Sequence, residues 1–210
     1  MSKVTKITNV VLFSGGIDSV VVVAKQLQFQ RDYEETILFF VSYGQFAVRK
    51  ELEAVKFFSN YFHLDYTATT VLLPIPPNGD YVPFRNGMLL SLAAAYCDCL
   101  LLNNPVKKGE EREFYILIGS TWDDVYPDSQ PNFFSNFQPA LHATYSKPVI
   151  RLPLIGHTKR EIVKLGLELD IPLGHTWSCT NPINGVIPCR ACKSCKERSN
   201  ALGRERKTIK

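Results

Sequence analysis

Near its start the chain runs Val10-Val11-Leu12-Phe13 and then breaks into Ser14-Gly15-Gly16-Ile17-Asp18-Ser19. A short apolar run ended by paired glycines reads as a buried strand, over residues 9–13, feeding a tight turn. Residues 20–29 follow without a breaker. Their β-branched members argue weakly against a helix, whereas Ala24, Lys25, Gln26, Leu27 and Gln28 favour one. A helix starting near Ile17 completes a strand–loop–helix unit.

Strand and helix then alternate. Residues 36–42 form the next strand, and residues 48–62 have helical spacing in Leu52, Val55, Phe58, Tyr61 and Phe62. Residues 66–73 read as a third strand closed by Pro74, Pro76 and Pro77. Residues 86–102 form an apolar helix set well inside the fold. Residues 103–113 are polar and read as a mobile loop, residues 114–118 as a fourth strand, and residues 131–145 as helix. Over residues 157–170 an amphipathic helix is predicted, with Thr158 as N-cap and Glu161 three positions on, a capping box. The predicted class is α/β: a Rossmann-like, mostly parallel sheet with flanking helices, and a small C-terminal zinc-binding module. The division expected is a nucleotide-binding domain over residues 1–175 and a four-cysteine tail over residues 176–210.

With 45% apolar and 21% charged residues in 210, disorder is not the default. The net charge of +4 suits anionic small molecules and is too small to argue for nucleic acid. No run of about 18 apolar residues indicates a membrane span, and the N-terminus lacks a signal core, so a cytoplasmic protein is expected. Cys97 and Cys99 lie in an apolar segment and read as buried thiols. Cys179, Cys189, Cys192 and Cys195 fall within 17 residues. Without an export signal such a cluster points to metal before disulfides, and four thiolates close a tetrahedral zinc shell with no open position, a structural role. An iron–sulfur cluster is the other metal reading.

A glycine loop between strand and helix can cradle phosphate. The glycines let several N–H groups point inward, and the helix N-terminus adds its positive end. Ser14 and Ser19 add hydroxyl donors. No Walker sequence occurs in the chain. The string Ser-Gly-Gly-x-Asp-Ser resembles the pyrophosphate loop of the N-type ATP pyrophosphatases, in the adenine nucleotide alpha hydrolase-like superfamily, which adenylate a substrate oxygen and release pyrophosphate. That resemblance places Leu12, Phe13, Ser14, Gly15, Gly16, Ile17, Asp18, Ser19 and Val20 around ATP. It makes Ser14, Asp18 and Ser19 catalytic candidates, with Asp18 near Mg2+.

Loop and cysteines together resemble the 7-cyano-7-deazaguanine synthase family, and intervening stretches agree. These are Val82-Pro83-Phe84-Arg85-Asn86 with the helix after it, Tyr126-Pro127-Asp128 with Pro131 and Phe133, residues 159–173, and Thr176-Trp177-Ser178-Cys179. The resemblance covers roughly residues 9 to 202. It implies adenylation of 7-carboxy-7-deazaguanine, displacement of AMP by ammonia to give an amide, and a second activation that yields the nitrile. It also implies Zn2+ on Cys179, Cys189, Cys192 and Cys195. Arg85, a catalytic candidate, has a planar fork suited to carboxylate or phosphate; a surface ion pair is the alternative. Asn86 fixes the base or caps its helix. Asp128 with either Asp123 or Asp124 accepts the guanine-like amino group, binds magnesium or caps a loop. Trp177 stacks on a base or fills core.

The chain departs from the family after Gln45, where Phe46-Ala47-Val48 stands in place of an Arg-His stretch, and at Ser129-Gln130. Another reading therefore keeps adenylation but joins the deazapurine to a different acceptor such as a protein amine. A transfer-RNA thiolase is disfavoured because only Cys97 and Cys99 remain for catalysis. A zinc-knuckle nucleic-acid binder rests on eight basic and two acidic residues over 190–210, which a solvated helix face explains as well. The partners expected are ATP, the deazapurine acid and ammonia, with no membrane, no nucleic acid and a homodimer left open.

Overall fold

The computed structural model describes residues 4–76, 81–121 and 124–205. Its five strands are β1 (Val4–Leu12), β2 (Glu34–Ser42), β3 (Tyr66–Thr70), β4 (Glu110–Leu117) and β5 (Val149–Arg151). They form one sheet in the order β3-β2-β1-β4-β5, and every pairing is parallel. Parallel neighbours require crossovers, and the first four of the six helices supply them, the last two following β5. These are α1 (Ile17–Gln28), α2 (Val48–Phe62), α3 (Arg85–Asn103), α4 (Pro131–Leu141), α5 (Lys159–Glu168) and α6 (Lys193–Glu205). The doubly wound α/β class expected from the alternation is what the chain adopts.

Alternation along the central strands divides the core. Val11, Leu38, Phe40 and Leu117 point to one face, under Val55 and Phe58 of α2, Ile162 and Val163 of α5, and the valines of α1. Val10, Phe39, Val41 and Ile116 point to the other, under Leu90, Ala93 and Cys97 of α3 and Phe134 of α4. Each such side chain contributes about 1.5–3 kcal/mol when fully buried. This explains why the valine-rich stretch Val20-Val21-Val22-Val23 tolerates helix: all four are fully buried on α1, and packing outweighs their weak intrinsic preference.

The structure moves several boundaries. β3 stops at Thr70 rather than Leu73, α4 ends at Leu141 rather than Tyr145, and β4 begins at Glu110, inside the expected polar loop. β5, three residues long, has too short a pattern to read. Cys97 is buried but Cys99 is exposed. α3 is not enclosed as expected, since it buries one stripe and leaves Leu102 on the surface. By length and composition α3 passes the test for a membrane-crossing helix, as core helices also do. Here that stripe covers the sheet as a core helix does.

The capping box at α5 is present as read. Thr158 Oγ1 accepts from the Glu161 amide at 3.4 Å, and the Thr158 amide donates to Glu161 Oε2 at 2.7 Å. Thr158→Ala is expected to lower stability by about 1 kcal/mol, read as a shift of the urea midpoint with unchanged slope; an unmoved midpoint would show the cap to be idle.

Candidate functional site

In sheet order the chain goes outward from β1 through β2 to β3, then crosses back to β4 beside β1. The loops after β1 and β4 therefore leave in opposite directions. Open parallel sheets bind ligands in the crevice this leaves at the carboxyl ends of the strands. Ser14, Gly15 and Gly16 occupy that crevice, at the end of β1. Gly15 has φ +70°, and a Cβ there would lie 2.6 Å from Ala54 Cβ of α2. The residue must be glycine on both counts. The Gly16 amide donates to Ser14 Oγ at 3.3 Å, Ser19 Oγ donates to the Gly16 carbonyl at 3.1 Å, and Val20 N returns to the same carbonyl at 3.0 Å to start α1.

A cavity of about 230 Å³ opens beside this loop. Of the nine nucleotide-loop candidates, Leu12, Phe13, Ser14, Gly16, Asp18 and Ser19 line it, together with Arg85, Asn86 and Asp124. Gly15, Ile17 and Val20 do not. Ile17 and Val20 are core residues on α1, and Gly15 shapes the turn. Asp18 takes both carboxylate oxygens to Lys159 Nζ, at 2.6 and 2.5 Å. Lys159 is the first residue of α5 and closes onto the loop from 141 residues away. The end of β4 must also pass close, since a Cβ on Gly119 would meet Asp18 Cβ at 3.0 Å.

The opposite wall begins at α3. Phe84, at φ 57°, turns the chain into the helix without a side-chain cap of its own. Asp128 supplies one from a distance: its Oδ2 accepts from the Asn86 amide at 2.9 Å. Asn86 Nδ2 donates in return to the Asp128 carbonyl at 2.8 Å and to Ser129 Oγ at 3.1 Å. Asn86 and Asp128 are both buried, so their partners are one another. Asp124 Oδ1 accepts from the Tyr126 amide at 3.3 Å. Asp123 lies outside the described residues.

Arg85 is thereby aimed into the cavity. Burial works against its charge, but Tyr43, Asp128 and Glu51 around it prevail, and its pKa is raised. Among the described residues its buried Nε has no hydrogen-bond partner, leaving a donor that an anionic ligand could take. Burial likewise raises the pKa of Glu51 against the opposing pull of the Gln45 hydrogen bond and Arg85. It raises that of Tyr43 too, again opposed by Arg85. Tyr43, Gln45 and Glu51 line the cavity but were not singled out as site residues from the sequence, nor was Lys159. Glu51 follows the Tyr43-Gly44-Gln45 turn by six residues, within the first turns of α2; that proximity was the available signal. The Lys159 contact is tertiary and left none.

Trp177 is not on this cavity. Its indole Nε1 donates to the Cys179 carbonyl at 2.8 Å, Lys50 Nζ lies 5.6 Å from its ring centroid, and its backbone amide donates to the Gly15 carbonyl at 3.0 Å. It ties the loop to the cysteine segment. Cys179, Cys189, Cys192 and Cys195 converge, with sulfurs all within 4.8 Å of one another. Four sulfurs so placed can share a single metal ion. Arg198 of α6 secures this segment through Thr176 Oγ1 at 2.5 Å and the Leu173 carbonyl at 2.8 Å. His175 packs flat on Phe57 at 3.9 Å between centroids.

Comparison with known proteins is consistent with this layout. The profile of the family described as queuosine biosynthesis protein QueC matches residues 74–205. The chain is 35% identical to a 7-cyano-7-deazaguanine synthase from Picrophilus torridus, over 89% of this chain and 83% of that one. It is 31% identical to one from Methanothrix thermoacetophila, over 90% and 91%. Among solved structures, the U34-tRNA thiolase NcsA from Methanococcus maripaludis with its [4Fe-4S] cluster superposes with a TM-score of 0.54. That match is 16% identical and covers 97% of this chain and 73% of the thiolase; at that identity the likeness is one of fold.

Gly15→Ala tests the loop geometry directly. It adds strain at positive φ and a clash with Ala54, and is expected to cost about 1–3 kcal/mol in chemical denaturation; wild-type stability would contradict the described turn.

Proposed function

The chain belongs to the queuosine biosynthesis protein QueC family, and from that membership we propose that it converts 7-carboxy-7-deazaguanine and ammonia to 7-cyano-7-deazaguanine at the expense of ATP. The observation that carries the proposal is the glycine loop after β1, opening into the cavity that Arg85 faces. The synthase name borne by the relatives favours ammonia as acceptor over a protein amine. A cytoplasmic enzyme acting on small molecules fits this reading.

A carboxylate cannot expel its own oxygen, so it must first be made into an ester of a good leaving group. In the proposed reaction its oxygen attacks the α-phosphorus of ATP, the α–β phosphoanhydride bond breaks, and pyrophosphate departs. The loop amides with Ser14 and Ser19 hold the departing phosphates, as fixed donors stabilise developing charge without reorganising. Arg85 holds the acid, its guanidinium fork matching a carboxylate. Ammonia then displaces AMP to give the amide, and a second activation, now at the amide oxygen, lets that oxygen leave with AMP as the nitrile forms. An enclosed cavity protects each adenylate from water.

Asp18 beside the Ser14 and Ser19 hydroxyls is an oxygen donor set of the kind Mg2+ accepts while keeping most of its waters. When bound, the ion would neutralise phosphate charge. Asp18 faces Lys159, so Lys159 would turn from the carboxylate to a phosphate as nucleotide and ion enter. At the other end, zinc is the ion proposed for the cysteines. A single tetrahedral ion needs sulfurs about 3.8 Å apart, close to the 3.6 Å between Cys179 and Cys189. A cluster binding each cysteine through a different iron needs wider spacing than the 4.8 Å limit seen here.

Incubation with ATP, ammonium and 7-carboxy-7-deazaguanine should yield amide and then nitrile by mass spectrometry, with AMP. AMP without either product would sink the synthase reading while leaving adenylation alive. Asp18→Asn is expected to cut AMP release by about 100-fold or more, and undiminished turnover would refute the assignment of the loop. For the tail, elemental analysis should find one zinc per chain, and Cys192→Ser should lose it together with thermal stability; iron instead of zinc would correct the ion.

A further inference from the structure

Beside the main cavity lies a second, much smaller one of about 50 Å³. Tyr43, Gln45, Glu51 and Arg85 line both and form the wall between them. Phe46 and Thr180, the residue that follows Cys179, line the smaller cavity and not the main one. The space suits a few water-sized molecules and is too small for an amino acid side chain to deliver an amine. We propose that this space is an ammonium antechamber in which Glu51 takes the proton from ammonium and releases ammonia into the adenylation cavity. The inference rests on the function proposed above and assigns a base to it.

The smaller cavity pairs groups that attract a small cation with one, at the wall it shares with the main cavity, that repels it. The Glu51 carboxylate and the aromatic side chains of Tyr43 and Phe46 are groups that favour ammonium. Arg85, at the shared wall, repels a cation and is indifferent to neutral ammonia. Passage past Arg85 therefore selects the deprotonated form, which is also the nucleophile.

Glu51 is held for the task. Gln45 Nε2 donates to Glu51 Oε2 at 2.8 Å and to the Val41 carbonyl at 3.3 Å, while Gln45 Oε1 accepts from the Tyr43 amide at 2.8 Å. The amide side chain is thus locked in orientation by backbone on both sides, and the carboxylate with it. The groups facing Glu51 are Gln45 and the guanidinium of Arg85, with Tyr43 beyond, and burial raises its pKa against the pull of the first two. A carboxylate made more basic in this way is a better acceptor at neutral pH.

The step balances. Ammonium gives one proton to the Glu51 carboxylate, and the nitrogen lone pair so freed forms the C–N bond to the adenylate carbonyl carbon. The C–O bond to AMP breaks with its electron pair on the phosphate oxygen, and the second proton lost by nitrogen goes to that phosphate. Glu51 returns its proton to water through the chamber.

The test compares two nucleophiles on the full-length protein supplied with ATP and the deazapurine acid. Ammonium needs deprotonation, whereas hydroxylamine is largely uncharged at neutral pH and attacks without it. In Glu51→Gln the ratio of amide from ammonium chloride to hydroxamate from hydroxylamine should fall about 100-fold against wild type. Glu51→Asp should recover part of the ratio. If the glutamine variant does not fold, the aspartate variant must still show a lowered ratio. Equal loss with both nucleophiles, or loss with neither, overturns the assignment of Glu51. Failure of the wild-type protein to form AMP with the deazapurine acid removes the underlying function as well, so the two failures are told apart by AMP.

Discussion

The contact on which the site most depends is the carbonyl and α-carbon of one residue, Gly15. Its α-carbon is pressed against Ala54 of α2, and its carbonyl accepts from the Trp177 amide at 3.0 Å. Three distant parts of the chain meet there: the loop after β1, the helix that carries Glu51, and the segment that runs into Cys179. A side chain at this point would push α2 away and with it Glu51. Loss of the Trp177 hydrogen bond would free the loop whose amides, in the proposed function, meet phosphate. The cysteine cluster, far from the loop in sequence, is therefore mechanically continuous with it, and Arg198 reinforces the same joint by holding Thr176 and Leu173 from α6. Ala201 of α6 is buried in the core shared with α1 and α5, so the tail is anchored by packing as well as by any metal.

The long elements were legible because each has one dominant pattern. The start and end of α2, Val48–Phe62, agree with the residues that show helical spacing, and the capping box named the start of α5. β5 and the first four residues of β4 were not legible. Val149-Ile150-Arg151 is too short to show a period, and Glu110 to Glu113 are polar because they extend β4 at an end of the sheet where only tertiary pairing with β1 makes them strand. There Arg112 bridges Thr8 and Glu35 across neighbouring strands, a partnership invisible in local sequence. α3 misled in the opposite sense. Leucine and alanine around its whole circumference suggested enclosure, yet only one stripe meets the sheet.

At the site, residues with a motif around them were found and residues brought in by the fold were not. Ser14 to Ser19 and the four cysteines carry spacing that advertises chemistry, and Arg85 stands in a stretch that resembles the family. Asn86 and Asp128 read either as ligand contacts or as capping groups, because their polar groups are visible in the sequence and their partners are not. In the folded chain they hold each other, and their value is that the mutual contact fixes the first turn of α3 and hence the direction of Arg85. The ring of Trp177 suggests stacking on a base or core filling, whereas its backbone amide, which the sequence does not single out, is what reaches the loop.

Arg85 and Asp18 show opposite solutions to one electrostatic problem. A guanidinium cannot shed its proton on burial, so its desolvation must be offset by neighbours, and here Tyr43, Asp128 and Glu51 do this while Nε stays unpaired. A buried charge with one donor unspent favours the approach of an anion. Asp18 instead has its charge cancelled by Lys159 in a partly exposed pair, which costs little to break. Opening that pair presents a carboxylate to a cation and an ammonium to phosphate at the same moment. The wall at Arg85 is thus fixed by its neighbours, whereas the Asp18–Lys159 pair can open, and in the proposed reaction it would exchange partners as nucleotide enters and pyrophosphate leaves. A reaction that activates two successive oxygens at one site needs that combination: a fixed seat for the group being transformed and a renewable one for the nucleotide that transforms it.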